Sequence, residues 1–387
     1  MIPGLGGNGE IIGQVVWFGF FILFIIFGPK LMITQTIMKI EKDVIELENY
    51  AKEANEYLKK HLSSKTSKKG KKDIQDFMDF FMVPPINADP YGLMNKLDHM
   101  IKNSDRRFKY IVEQVIPKAS ETEKMNLKNG IAGAMQTYQI AKIVRHYLET
   151  IKKYKMFQMA IIIQMQIPMI KEIAKASKEA TKAFLDGIPI GDSIGPLVIA
   201  SLTKDKVTEF KNEEFAVSKT KINGKTVYLS KALGPGATTG SPGKFLQKVF
   251  NKYKIGKMIT VDASLKLEGE KTGSIAEGIG VAMGGIGVER YAIEDIAVKK
   301  NIPLDAIAVK MSQEEALIHM KTDIMKAVPN AIDAIEAAVK SYKGKGNIMI
   351  MGVGNTSGVG NTVKDADTAR ITIKKTAKEL DKGKKKK

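Results

Sequence analysis

The sequence contains no cysteine among its 387 residues. Disulfides, thiolate nucleophiles, iron–sulfur clusters and cysteine-type zinc sites are therefore excluded. Histidine is also scarce, with four residues and no His-x-x-x-His spacing, which argues against a histidine-rich metal site. We accordingly expect no cofactor and no resident metal, and only a Mg²⁺ or Mn²⁺ held by carboxylates stays open.

Arginine is rare as well, supplying five of the 61 basic residues in a chain of net charge +19. Specific recognition of phosphates and bases favours the planar fork of arginine. Thirteen of the lysines lie in two short stretches, 65–72 and 374–387. We interpret this charge as solvated lysine that attracts anionic lipid, and we expect nucleic-acid binding to be weak and non-specific at most.

Charged side chains are absent from the eighteen residues Ile11–Gly28. A run of this length is just sufficient to span a bilayer. The only charged side chain before this run is that of Glu10, whereas Lys30 and Lys39 follow it. A cleaved signal peptide has the reverse order, with its positive charge before the apolar run. The positive-inside rule then predicts an uncleaved anchor over 1–29, single-pass in the cell membrane, with the bulk of the chain in the cytoplasm.

After Pro29 the apolar residues alternate steps of four and three. This spacing predicts a coiled-coil stalk over 30–64 and a homo-oligomer, because an anchor concentrates identical chains in a plane. The alternative is an amphipathic helix packed on its own domain, which usually has a wider apolar stripe. The seam consists of Ile33, Ile37, Ile40, Val44, Leu47, Ala51, Ala54 and Leu58.

Composition divides the remaining chain into four parts. Lysine, serine and glycine at 65–72 predict a solvated basic linker, and 73–187 reads as a helical middle domain. Within it, Met159 to Ile170 is apolar but too short to span, so we expect a buried core helix. Residues 188–373 have the pattern of an α/β domain with a mixed sheet, and 374–387 form a Lys-rich tail.

The α/β domain shows strand, hairpin and capping signals. Strands are predicted at 257–262, 305–311 and 347–353, where short apolar runs end in small residues. A hairpin over 214–230 is predicted to turn at Asn223-Gly224, a dipeptide favoured in type I′ turns. Helices are predicted to follow Asp192, Gly243, Glu289 and Ser312, the last opened by a capping box.

Two aspartates stand where apolar segments give way to small residues. Asp192 lies in the segment Ile188–Leu197, and Asp262 directly follows the apolar run Met258–Val261. Open α/β sheets present ligand-binding groups at such positions. Two carboxylates brought close together share a proton, so that one can activate water while the other polarises a carbonyl. The competing interpretation is that Asp192 caps a helix and Asp262 bonds to a loop.

Several glycine-rich segments invite cofactor interpretations. Residues 234–244 end like a phosphate-binding loop, but they lack its first glycine at the right offset and the hydroxyl residue after Lys244. Residues 278–284 and 352–358 are weak matches to dinucleotide turns. We interpret these glycines as loops framing a cleft that admits a polypeptide backbone. The residues predicted to line the cleft are Gly191, Gly195, Pro196, Gly285, Gly287, Gly354 and Asn355.

Two of these segments resemble a known group of proteases. Gly191-Asp192-Ser-Ile-Gly195-Pro196-Leu197 and Val261-Asp262-Ala-Ser-Leu265 are similar to motifs of the spore germination protease and, more distantly, of the hydrogenase maturation endopeptidases. The resemblance implies a phosphorylase/hydrolase-like α/β fold and a catalytic pair, Asp192 and Asp262. The whole chain also resembles an archaeal single-pass membrane-protein family of unassigned function.

One departure from the protease pattern leads to a prediction about topology. In those proteases a strand ending in Gly-x-Gly-Asn precedes the first acidic residue, whereas here a helix does, and the strand's counterpart is 347–355. A circular permutation would place strand 347–353 beside strand 257–262 and the loop 352–360 near Asp192. The resulting hypothesis is a membrane-anchored, cytoplasm-facing endopeptidase-like protein. The alternative is a non-catalytic scaffold that binds a protein partner.

Overall fold

The computed structural model describes residues 7–62, 66–80, 93–204, 206–250, 252–281 and 287–384. The first half of this part is helical, with α1 Gly7–His61, α2 Lys68–Phe77, α3 Leu93–Val115, α4 Glu121–Tyr154 and α5 Phe157–Leu185. A short 3₁₀ turn, Gly191–Ser193, leads into the second half. Its helices are α6 Ile194–Leu202, α7 Pro242–Val249, α8 Gly287–Lys299, α9 Gln313–Leu317, α10 Thr322–Met325, α11 Val328–Ser341 and α12 Val363–Lys384. Its strands are β1 Val207–Phe210, β2 Phe215–Ile222, β3 Lys225–Ala232, β4 Ile255–Leu265, β5 Ile275–Ile279, β6 Leu304–Met311 and β7 Asn347–Gly352.

Helix α1 joins the predicted anchor to the predicted stalk without a break. It is 55 residues long, and its large apolar side chains from Val15 to Phe27 are exposed. Among the described residues this is the one helix long and apolar enough to cross a membrane. The expected core helix at Met159 to Ile170 is part of α5, where Ala160, Ile163 and Ile167 are buried.

The seam of α1 is covered by its own chain, which corrects the prediction of an intermolecular coiled coil. Ile40, Val44 and Leu47 are fully buried against α4 and α5, in a cluster that includes Leu148 and Ile163. The lower part of the seam packs in a second cluster with α2, α3 and α4. A narrow stripe suffices here because two antiparallel helices, rather than one partner helix, close over it.

The predicted basic linker is partly helical. Helix α2 begins at Lys68, and the Ser67 side chain caps it by accepting from Gly70 N–H. The hydroxyl satisfies one of the free N–H groups of the first turn, so a helix can start within a lysine-rich run.

The second half contains one seven-stranded mixed sheet of order β1-β2-β3-β7-β4-β6-β5. The four central strands, β3, β7, β4 and β6, are parallel, and β1, β2 and β5 add antiparallel edges. The predicted strands are present, with β4 extending three residues beyond Asp262. Edge strands β1 and β5 were not predicted. Strand β5 occupies part of a glycine-rich segment that reads as loop, and its Ile279 is 95% exposed.

Helices cover both faces of the sheet. Helices α6, α10, α11 and α12 pack on one face, and α7 and α8 pack on the other. Strands β4 and β7 are consequently covered on both faces, which is why residues 258–261 and 348–351 read as apolar runs rather than as alternating patterns.

The predicted hairpin and capping box are confirmed. Strands β2 and β3 pair up to Ile222 and Lys225, and both turn residues between them have positive φ, 49° at Asn223 and 75° at Gly224. The Ser312 side chain accepts from Glu315 N–H at the start of α9 while the Glu315 carboxylate accepts from Ser312 N–H.

Candidate functional site

The two central strands β4 and β7 diverge at their carboxyl ends. Their pairing stops at Val261 and Gly352, and Val353 N–H still donates to Val261 O at 2.8 Å. Beyond this point the chain from β4 continues to β5 and then to α8 on one face, whereas β7 leads to α12 on the other. Such a reversal is where open α/β sheets form a ligand crevice. We call this divergence of β4 and β7 the fork.

The turn that carries Asp192 is seated in the fork. At Gly195 a Cβ would lie 2.2 Å from Val353 O and 2.4 Å from Val261 O, so only glycine lets α6 start this close to both strands. At Gly191 a Cβ would lie 2.0 Å from Glu315 O in α9. The glycines of the motif are thus explained by close backbone approach on two sides.

Asp192 contacts the loop after β7 rather than the helix that follows it. Asn355 N–H donates to Asp192 Oδ2 at 2.7 Å. The N-cap position of α6 is occupied by Ser193, without a side-chain capping bond, so the interpretation of Asp192 as a helix cap is wrong. Burial raises the pKa of the Asp192 carboxyl, and the Asn355 hydrogen bond opposes this only in part. The result is a half-buried carboxyl whose pKa lies above its ordinary value.

Asp262 lies in β4 one residue past the last pair with β7. It pairs across the other edge with Ala308 of β6. Its side chain is 2% exposed, and Oδ1 accepts from Ala263 N–H at 2.7 Å. Because β4 runs to Leu265, Asp262 does not end its strand as the sequence suggested. It does stand at the level where the fork opens.

The loop after β7 closes one side of the site. Gly354 has φ 122°, and a Cβ there would lie 2.0 Å from Asp192 O, so this position requires glycine. Asn355 is 5% exposed, and its Oδ1 accepts from Ser357 N–H at 2.9 Å. Ser357 Oγ in turn donates to Ile188 O at 2.9 Å. The loop is therefore tied to the Asp192 segment at two points, and the predicted position of loop 352–360 near Asp192 is confirmed.

The structure brings most of the predicted cleft residues to the fork. Gly191, Gly195 and Pro196 belong to the buried Asp192 turn, and Gly354 and Asn355 belong to the loop that contacts it. Two predicted residues have a different position. Gly287 begins α8 beside the start of α7, where Gly243 N–H donates to Glu289 Oε2, and Gly285 lies outside the described residues.

A buried lysine near the fork escaped sequence reasoning. Lys231 in β3 pairs with Gly352, is 1% exposed, and donates from Nζ to Ala232 O and to Asn361 Oδ1. Burial lowers its pKa to about 7, against the attraction of the Asp365 carboxylate. The only sequence signal is a lysine immediately before the Ala232-Leu-Gly234-Pro turn, which is too common to mark a buried amine.

Neither Asp192 nor Asp262 lines the two cavities found among the described residues. The cavities, of about 550 and 680 Å³, are lined by residues 266–273 with 323–330 and by α1 with α5, respectively. Within the described ranges no group of three or more histidine, aspartate or glutamate side chains could hold a metal ion. The chemistry available at the fork is that of two carboxyl groups.

Comparisons with known proteins assign a family. The sequence model described as "Protein of unknown function (DUF1512) N-terminal domain" matches residues 14–187, and "Domain of unknown function (DUF1512) C-terminal" matches residues 190–360. Searches of curated proteins and of solved structures gave no match. The resemblance to the germination and hydrogenase proteases accordingly rests on short sequence motifs alone. The chain belongs to the DUF1512 family.

Proposed function

We propose that this member of the DUF1512 family is a membrane-anchored, endopeptidase-like hydrolase that uses Asp192 and Asp262 on a polypeptide substrate. The observation that carries the proposal is the state of Asp192. Its carboxyl is at the fork, is not used as a helix cap, and has a raised pKa because it is buried. A carboxyl with a raised pKa at a switch-point crevice is a typical general acid or base.

The two carboxyl groups would have different roles. Asp192 is the more accessible, so it meets the substrate and holds the proton that polarises the scissile carbonyl. Asp262, at the end of the β4–β7 pairing, takes a proton from the water that attacks the carbonyl carbon and returns this proton to the leaving amine as the C–N bond breaks. A peptide substrate is inferred from the resemblance of the Asp192 and Asp262 segments to protease motifs, because the glycines at the fork are occupied by close approach of the chain's own backbone.

The proposal is tested by Asp192→Asn and Asp262→Asn in cells, with the exposed Asp333→Asn as the control. Asparagine retains an oxygen that accepts from Asn355 or Ala263, so we expect unchanged thermal stability. Newly formed peptide termini in the membrane proteome should disappear in both fork variants and persist in the control. Identical termini in all strains would refute the hydrolase.

A second candidate, a non-catalytic scaffold that binds a protein partner, is favoured by the burial of Asp262. At 2% exposure this side chain is almost closed to water. Pull-down from native membranes distinguishes the two candidates. A scaffold retains its partner in both Asn variants and changes no peptide termini, whereas a hydrolase accumulates uncleaved substrate.

The membrane part of the proposal is a single span by α1, with the N-terminus outside and the α/β half in the cytoplasm. It is supported by the exposed apolar run and by Lys30 and Lys39 on its C-terminal side. Protease added to intact cells should leave the chain beyond residue 30 uncut, and protease added to inverted vesicles should degrade it. Protection in inverted vesicles would reverse the orientation.

A further inference from the structure

Among the described residues, exposed apolar side chains are concentrated along α1 and on the hairpin formed by α4 and α5. In the α/β half they are scattered, as with Leu267 and Ile371. At the tip of the α4–α5 hairpin they are contiguous, with exposures from 36% at Phe157 to 76% at Met165. A surface cluster of this kind marks a contact with a partner or a membrane. Its members are Tyr147, Tyr154, Met156, Phe157, Ile161, Ile162, Met165 and Met169.

Ion pairs set the register of the hairpin against α1. In the ion pairs between α1 and α5, a higher residue number in one helix goes with a higher number in the other, so the two helices are parallel. In the pairs between α1 and α4 the order is reversed, so these two helices are antiparallel. The α5 pairs are Lys171–Asp43 at 2.9 Å and Lys178–Glu53 at 2.8 Å, and the α4 pairs are Arg145–Glu48 and Lys152–Glu41, both at 2.8 Å.

This register places the tip beside the end of the apolar run. From Lys171 back to Phe157 the helix rises ~21 Å, and the same rise from Asp43 reaches residue 29 of α1. Phe157 therefore lies level with the C-terminal end of the eighteen-residue run. Ile162 lies ~8 Å and Met169 ~18 Å further from it along the same axis. Since each headgroup layer is ~5–8 Å thick, the first turns of α5 fall at its depth.

The composition of the tip suits a headgroup layer. Lys153 and Lys155 alternate with exposed Tyr154 and Phe157, and Lys30 of α1 stands at the same level. Lysine stems lie along apolar surface while their ammonium groups reach phosphates, and aromatic rings favour the membrane interface. A protein partner would leave unexplained why residues 154–162 of the cluster lie level with the end of the span.

We propose that the α4–α5 tip, residues 154–162, inserts into the headgroup layer of the bilayer that α1 crosses, with its lysines contacting anionic lipid. This inference rests on the proposed membrane anchoring. The chain would then have two membrane contacts, one spanning and one interfacial. Two contacts fix the rotation of the helical half about α1 and hold the fork at a constant orientation to the membrane.

The absence of cysteine allows a direct test in the full-length chain. Single cysteines are introduced at Phe157, Ile162 and Met169 and labelled with an environment-sensitive fluorophore. The protein is placed in nanodiscs in which about one third of the lipid is anionic, because each lysine gains ~1 kcal/mol at an anionic surface. Quenching by nitroxide lipid is compared with quenching by a water-soluble collider. We expect lipid quenching to decrease in the order Phe157, Ile162, Met169, following depth.

Two further positions serve as controls. Phe24→Cys reports the anchor, and Ile371→Cys reports an exposed apolar residue of the α/β half, 68% exposed. Lipid quenching at Phe24 but water-like quenching at Phe157 and Ile162 would overturn the inference and leave the anchor intact. Water-like quenching at Phe24 as well would overturn the anchoring itself. Fluorophore self-quenching between chains at Ile162, without lipid quenching, would assign the tip to a second copy and also overturn the inference.

Discussion

At the scale of single residues, environment separates chemically identical side chains. Asp192 and Asp262 are both aspartates after an apolar segment, yet one is half-buried and held by Asn355 while the other is 2% exposed within a strand. Lys231 is one of many lysines, but burial gives it a pKa near 7. Desolvation penalises the charged form, which raises the pKa of the Asp192 carboxyl and lowers the pKa of the Lys231 amine.

Lys231 should make stability rise with pH. Its pKa is about 7 in the folded chain and near 10.5 when unfolded, so between these values the unfolded state binds more protons. Each pH unit above 7 should add at most about 1.4 kcal/mol from this group. We expect Lys231→Met to remove this increment. The free energy of unfolding of the wild type minus that of the variant should then increase from pH 7 to pH 9. Parallel pH profiles would contradict the burial of a titrating amine.

At the scale of elements, close approach and burial decide where helices lie. Helix α6 approaches β4 and β7 because Gly195 has no side chain, and α1 lies against α4 and α5 because its seam is apolar. Each contact is made by positions that a single substitution can test.

Gly195→Ala should displace α6 from the fork. The added methyl would stand 2.2 and 2.4 Å from two backbone oxygens that cannot move independently of the sheet. We expect a loss of about 3 kcal/mol in the free energy of unfolding, the upper range for overpacking. Gly278→Ala in β5, where a Cβ would meet no atom within 4 Å, is the control and should change stability by less than about 0.5 kcal/mol.

Neighbouring positions in α1 test the intramolecular seam. Val44 is fully buried and Ile45 is 50% exposed. Val44→Lys should cost about 3–5 kcal/mol because it buries an unpaired charge, whereas Ile45→Lys should be nearly neutral. The readouts are helical circular dichroism on heating and molar mass by light scattering. A Val44→Lys variant that stays folded but halves its molar mass would restore the intermolecular coiled coil.

At the scale of the whole molecule, the helical half supports the loops of the fork. Ala237 N–H donates to Asn126 Oδ1 at 2.9 Å, and Asn129 Nδ2 donates to Ala237 O at 2.6 Å. Thr356 Oγ1 then donates to Gly236 O at 2.6 Å, which links this loop to the one that contacts Asp192. The fork is therefore held by both family regions.

Asn126→Ala should loosen the fork from a distance. It leaves the buried Ala237 N–H without its acceptor, at a cost of about 1–3 kcal/mol. We expect faster hydrogen exchange at residues 236–238 and 354–358, with Asn330→Ala, at an exposed position, as the control. Unchanged exchange in both segments would show that the two halves are independent.

Local pattern was sufficient to predict many elements of this chain. The uncharged run, the central strands, the Asn223-Gly224 turn and the Ser312 capping box were all readable from the sequence, because each depends on neighbouring residues. The placement of strand 347–353 beside strand 257–262 was also predicted, from the resemblance to the protease motifs and the permutation that it implied.

Only the tertiary structure decided which segment packs against each apolar surface and which polar side chains are buried away from solvent. The a/d seam of α1 looks the same whether a second chain or the chain's own hairpin covers it, since apolar spacing does not specify the partner. The bond from Asn355 to Asp192, the closure of Asp262 and the burial of Lys231 join residues far apart in the chain. Such contacts depend on how β3, β4, β7 and the Asp192 turn assemble, and no local pattern encodes the desolvation that they impose.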